Sequence, residues 1–192
     1  MITRIKLSLA NGYYEIKEGA NFAVISEDAD HLVYEENGIW NVVSQPGGVK
    51  GGNNIITVPP DAVPYAVYIE GVNIGLNCDF INAQKLFLDM KSSACEINNV
   101  SSGKIKIEMG RGDMRISASE FSNLHINCGY GNIVADLYGR DLYNITTKCG
   151  NGEIILNSRK LPRGFCENNN GNNIDIICGM GRVEVNTYNI KK

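Results

Sequence analysis

Leu124-His125-Ile126-Asn127-Cys128-Gly129-Tyr130-Gly131-Asn132-Ile133-Val134-Ala135 reads apolar, x, apolar, x, Cys, Gly, x, Gly, x, apolar, x, apolar. Alternation with a period of two is the signature of a strand with one buried face and one wet face. Here two such runs flank one bend. Glycine suits the bend because it takes positive φ without a Cβ clash and lets a neighbouring backbone come close. The same twelve-residue pattern recurs without a gap at Ile105 to Ile116, Ile145 to Leu156 and Ile174 to Val185, with Met109 in the cysteine slot of the first. Two earlier segments fit more loosely. One runs Leu86, Leu88, Met90, then Lys91-Ser92-Ser93, then Cys95 and Ile97; the other runs Ile69, then Glu70-Gly71-Val72, then Ile74 and Leu76.

Bends at Glu70, Lys91, Gly110, Gly129, Gly150 and Gly179 lie 21, 19, 19, 21 and 29 residues apart. A repeat of this size matches one turn of a solenoid. The expected fold is therefore all-β: a single-stranded parallel β-helix of about six rungs. Parallel rungs stack about 4.8 Å apart, so equivalent side chains pile into columns. Met109, Cys128, Cys149 and Cys178 should form one column; Ile107, Ile126, Thr147 and Ile176 a second. Met114, Ile133, Ile154 and Val183 make a third, and Ile116, Ala135, Leu156 and Val185 a fourth. Each fully buried aliphatic stabilises by about 1.5 to 3 kcal/mol. The long last spacing holds a loop insertion at about 161–173, marked by Pro162-Arg163-Gly164 and the Asn-rich run 168–173.

Residues 1 to about 60 break this register. Ile5 to Leu9, Tyr13 to Lys17, Phe22 to Ile25, Leu32 to Glu35 and Ile39 to Val43 read as short antiparallel strands, with Asn11-Gly12 and Asn37-Gly38 as hairpin turns. Residues 1–54 are expected to be an N-terminal β cap over the open end of the coil, and residues 55–192 the β-helix domain. Gly47 to Asn54 is expected to be a flexible loop between them, with Ile55 to Val58 entering the first rung.

With 18 basic and 21 acidic side chains and a net charge of −3, the chain has no basic stripe for phosphates, so nucleic acid is not an expected partner. No apolar stretch approaches the roughly 20 residues of a spanning helix, and the N-terminus lacks a signal-peptide core. The expected location is cytoplasmic for the sequence as given, and the cell surface only if a leader has been removed.

The G-x-G motifs Gly110-Arg111-Gly112, Gly129-Tyr130-Gly131, Gly150-Asn151-Gly152 and Gly179-Met180-Gly181, with the strand Ile56 to Pro60, resemble the bacterial putative adhesin family, a domain of unknown function. The likeness covers roughly residues 55 to 187. It implies a β-helix fold and an adhesin-like role, and brings no catalytic residues with it.

The residues themselves point to binding rather than catalysis. The six cysteines follow the repeat and not C-x-x-C or zinc-finger spacing, so they read as packed free thiols, with no metal or cofactor expected. His31 and His125 are the two histidines, and no nucleophile elbow, Walker loop or H-E-x-x-H occurs. A strand, not a helix, follows each G-x-G, which excludes a dinucleotide fingerprint. Arg111-Gly112-Asp113 occupies the bend slot of the repeat. The outward position between the third and fourth columns reads Arg115, Val134, Ile155, Glu184. Val134 and Ile155 there, with Tyr130 and Met180 at the bends, are the expected partner surface, for a protein, a glycan or a second copy; cover by the N-terminal cap is the alternative. The expected function is a non-catalytic scaffold or binding protein. The rivals are a self-assembling structural protein resembling bactofilins and a carbohydrate-active β-helix enzyme.

Overall fold

The computed structural model describes residues 2–26, 31–44, 52–139 and 143–189. Fifteen strands join one continuous sheet, and no helix occurs among the described residues. The stretch 124–135 lies within β10 (Asn123–Gly139). On one side β10 pairs in parallel with β8 (Ala94–Arg111) and β9 (Met114–Glu120), and on the other with β15 (Asn172–Asn189). Ile126 stands opposite Ile107 and Ile176, and Ile133 opposite Met114 and Val183. The repeat is thus a solenoid-like stack, and its apolar columns form the core: Ile107, Ile126 and Ile176 are completely buried.

The corners explain the glycines. Gly112, Gly131 and Gly181 have φ of 133°, 146° and 125°. A Cβ on Gly131 would lie 1.7 Å from the carbonyl oxygen of Gly112, and one on Gly181 1.8 Å from that of Gly131. Backbone rests on backbone at this corner, and only glycine fits.

The winding order departs from expectation. β11 (Tyr143–Cys149) and β12 (Glu153–Leu156) pair with β15 and not with β10. The sulfur column therefore runs Met109, Cys128, Cys178, Cys149, with the last segment of the chain inserted inside the one before it. The residues between them are not a bulging loop. Asn157 and Ser158 (φ 47° and 67°) reverse the chain into β13 (Arg159–Leu161), antiparallel to β12, and β14 (Gly164–Glu167) runs antiparallel to β11. These two short strands occupy an otherwise open sheet edge, which is the physical reason for the insertion.

The other end is built the same way. The expected hairpin at Asn11-Gly12 does not form: β1 (Arg4–Glu18) is one strand, parallel to β6 (Ala66–Cys78) along its length. Asn11 has φ 48°, and Asn73 of β6, in the same register, has φ 55°. A single left-handed asparagine bends the strand at a corner without reversing it. Ile5, Leu7 and Leu9 before that bend, and Tyr14 and Ile16 after it, are all buried. On the far side of β1 lie β4 (Ile39–Ser44) and β5 (Asn53–Val58), both parallel to it, so Ile55 to Val58 packs beyond β1. β2 (Ala23–Ser26) and β3 (His31–Glu36) pair antiparallel with β5 and β4. Asn37-Gly38 does make a tight hairpin turn, with φ 51° and 72°. β7 (Ile81–Met90) fills the layer between β6 and β8. Residues 47–51 of the expected loop and the Lys191-Lys192 tail lie outside the described residues.

Candidate binding faces

The four residues singled out from sequence do not form one patch. Tyr130 and Met180 are register partners at the glycine corner, 51% and 45% exposed. The Arg111 guanidinium lies 5.3 Å from the Tyr130 ring centroid and extends this ridge by one layer. Val134 and Ile155 are half-buried and are not stacked on each other: the inserted β15 puts Glu184 between them. Nor does the N-terminal region cover them, because β1 to β5 lie at the opposite end of the stack.

Val134 instead closes one end of a lateral groove of about 650 Å3 that crosses β1, β6, β8, β9 and β10. Its floor includes Gly75 and Ala94, which are register neighbours; the small Ala94 side chain leaves the space above it open. Tyr13 walls the far end, its ring so close above Gly75 that an added Cβ would sit 2.9 Å from Cδ2. Glu96, Arg115, Asp113 and Asn132 supply the polar walls. Asp113 Oδ1 accepts from the Asn132 backbone N–H at 3.0 Å and from its Nδ2 at 2.9 Å, which fixes both. Asn77 lines the groove with a buried Oδ1 that has no hydrogen-bond partner among the described residues, an acceptor that a bound donor would satisfy.

Asp136 lies two positions beyond Val134 on the same strand. It is 2% exposed although it points away from the core. Arg115 donates to its Oδ2 at 2.7 Å, and Asn186 Nδ2 and the Tyr188 hydroxyl donate to Oδ1 at 3.1 and 3.4 Å. The carboxylate holds the Arg115 head group at the groove wall. Burial, and then the charge of Asp136, push the Tyr188 hydroxyl above its ordinary pKa. Arg182 and Asn186 hold the Glu184 carboxyl below the usual range by hydrogen bonding. The signal for this cluster was the repeat itself, which sets Arg115 and Asp136 two positions and one layer apart.

A second face lies on the strands before the corner. Tyr68 and Phe87 stack with centroids 4.9 Å apart and planes 7° from parallel. Glu70, Asp89 and Glu108 run alongside them, framing a hollow of about 190 Å3. In the next layers His125 Nδ1 lies 2.9 Å from Asp175 Oδ2, and Nε2 lies 3.8 Å from Glu108. Both partners of this imidazole are carboxylates, and the hydroxyl of its column, Thr146, lies beyond Asp175.

The cysteines are unpaired thiols. Cys128 and Cys178 stack in the core and Cys149 is half-buried beside them, while Cys78 and Cys95 fill other columns. Burial pushes the Cys78, Cys95 and Cys178 thiols up to about 12 and raises Cys128 as well. Such thiols pack as small hydrophobes and are inert. Among the described residues no group of histidine, cysteine or carboxylate side chains is placed to hold a metal ion.

Two solved structures are similar to this chain. A "putative cell adhesion protein" from Clostridium sporogenes is 13% identical with a TM-score of 0.55, covering 97% of this chain and 93% of that one. A "putative adhesin" from Bacteroides fragilis is 11% identical with a TM-score of 0.33, covering 97% and 92%. The first shows a shared fold. No curated protein matches the chain. A family profile, Toastrack DUF4097, matches residues 34–185, which takes in every layer from β4 to β15 except β1. With most of its length matched, this all-β, solenoid-like chain belongs to the Toastrack DUF4097 family.

Proposed function

We propose that this chain is a non-catalytic, adhesin-like binding module that holds an extended protein or glycan segment in its lateral groove. In this reading about six rungs of single-stranded parallel β-helix form a rigid wall, and the N-terminal strands cap one end. The observation that carries it is the groove itself: about 650 Å3, crossing several layers, with Ala94 where a larger side chain would close it. Rigid strands present its walls, so little ordering entropy opposes binding. The name of the Clostridium sporogenes neighbour describes adhesion, and the shared fold supports a similar use of the surface here.

Catalysis is the weaker reading. The imidazole of His125 lies between the carboxylates of Asp175 and Glu108, with no hydroxyl positioned for it to activate among the described residues. The charge of −3 disfavours nucleic acid as the partner. No helix among the described residues is long and apolar enough to cross a membrane, and a cytoplasmic location for the sequence as given stays part of this proposal.

Glycan and peptide arrays probed with the full chain test it. Ligand captured by the wild type should be lost in Ala94→Trp, which fills the groove, and retained in His125→Ala, with melting temperatures unchanged in both. Binding that ignores Ala94→Trp, or turnover of a captured ligand, contradicts the proposal.

A further inference from the structure

The two ends of the stack carry different edges. β3 is, with β2, a terminal strand on the N-terminal side and pairs, among the described residues, with β4 alone. Its middle residues Leu32, Val33 and Tyr34 are 51%, 43% and 39% exposed. An unprotected apolar edge of this kind is a template for another strand. At the other end two short strands are terminal: β13 presents exposed Arg159 and Lys160, charges that oppose such pairing, and β14 has four residues and ends on Glu167.

We propose that two copies of this chain pair through β3, antiparallel about a two-fold axis, into a closed dimer. The hairpin fixes which groups are available. Glu36 and Ile39 close the two-residue turn as a hydrogen-bonded pair, so Glu36, Tyr34 and Leu32 face β4 with their backbone groups. The N–H and C=O groups of Val33 and Glu35 then point away from the sheet. Centring the pair on Val33 lets these groups bond across the axis. It sets Leu32 against the partner's Tyr34, a contact made twice. Apolar faces apolar. Sliding the register by two residues toward the turn would put Leu32 and Val33 against glutamates, which disfavours that shift. A self-complementary edge selects a second copy over a foreign strand, and a two-fold contact uses β3 of both copies and so closes at two.

Sedimentation velocity on the full chain over a wide concentration range should show a monomer–dimer equilibrium and nothing larger. Val33→Pro removes an outward N–H that β4 does not use, and should raise the dimer dissociation constant at least about tenfold. Val33→Lys repeats the test with the N–H retained. In a Cys166→Ser background, Val33→Cys should cross-link under mild oxidation, because hydrogen-bonded antiparallel partners lie about 5.5 Å apart at Cα. Leu32→Cys should not. A monomer at every concentration, open-ended growth, or a dimer untouched by both Val33 substitutions and not captured by Val33→Cys overturns the proposal.

Discussion

The coil turns the same corner with two chemistries. In β1 and β6 a single asparagine in the left-handed region, Asn11 or Asn73, bends the strand. In the layers from β8 to β15 a glycine does so, with the carbonyl of the neighbouring layer pressed against its Cα. The left-handed conformation costs asparagine little, so the first corner is a matter of local backbone preference. The second also demands space. A repeat that needs glycine by contact is strict, and one that needs only positive φ can drift.

The most severe way to test that difference is Gly131→Ala. Its Cβ would meet backbone and not a flexible side chain, so the loss should exceed about 4 kcal/mol, read as a fall in the urea midpoint or as failure to fold. Gly12→Ala in the asparagine corner meets nothing closer than 3.2 Å and should cost far less. Alkali probes whether the two halves share one core. Cys78 lies among the asparagine-cornered layers and Cys178 among the glycine-cornered ones, and both thiols are raised to about 12 from an ordinary 9.0. A raised folded-state pKa gives stability that is complete below 9.0 and is lost as pH climbs toward 12. Melting temperature should therefore fall across that window in a single transition; two separate transitions would mean that the halves fold apart.

Smaller effects sharpen the contrast. Cys178→Ser buries a hydroxyl in an apolar column and should cost about 2 kcal/mol in chemical denaturation, whereas Cys166→Ser, at an exposed site, should be silent. Asn73→Ala should cost about 1 kcal/mol for its left-handed φ. Asn73→Gly should stay within about 0.5 kcal/mol of wild type. If Asn73→Ala proves as damaging as Gly131→Ala, the two corners are equivalent and the distinction fails.

The same distinction decides what was legible in the sequence. The columns through Ile126 and Ile133 could be read directly because the paired glycines anchor the alignment at each turn. The asparagine corners could not: Asn11-Gly12 is also a hairpin signal, and local sequence does not say whether a bend reverses the chain. The position of β15 inside the layer of β11 and β12 was hidden for a different reason. Column membership follows from register, while stacking order depends on which edge is already covered, and that is a property of the assembled sheet. Of the candidate surface, Tyr130 and Met180 are neighbours because the insertion sets β15 beside β10, where sequential winding would have put Asn151 between them. Val134 and Ile155 are not, because Glu184 comes between them. The groove escaped notice because the residue that keeps it open, Ala94, matters for what it lacks.

Stacking order is the feature that most directly separates this architecture from simple sequential winding. Proton–proton contacts measured by NMR on selectively labelled protein decide it. Neighbouring layers lie about 4.8 Å apart and second neighbours about twice that, beyond short-range contact. Ile176 should show contacts to both Ile126 and Thr147, and Ile126 none to Thr147. A direct contact between Ile126 and Thr147, with Ile176 touching only one of them, would contradict the inserted strand.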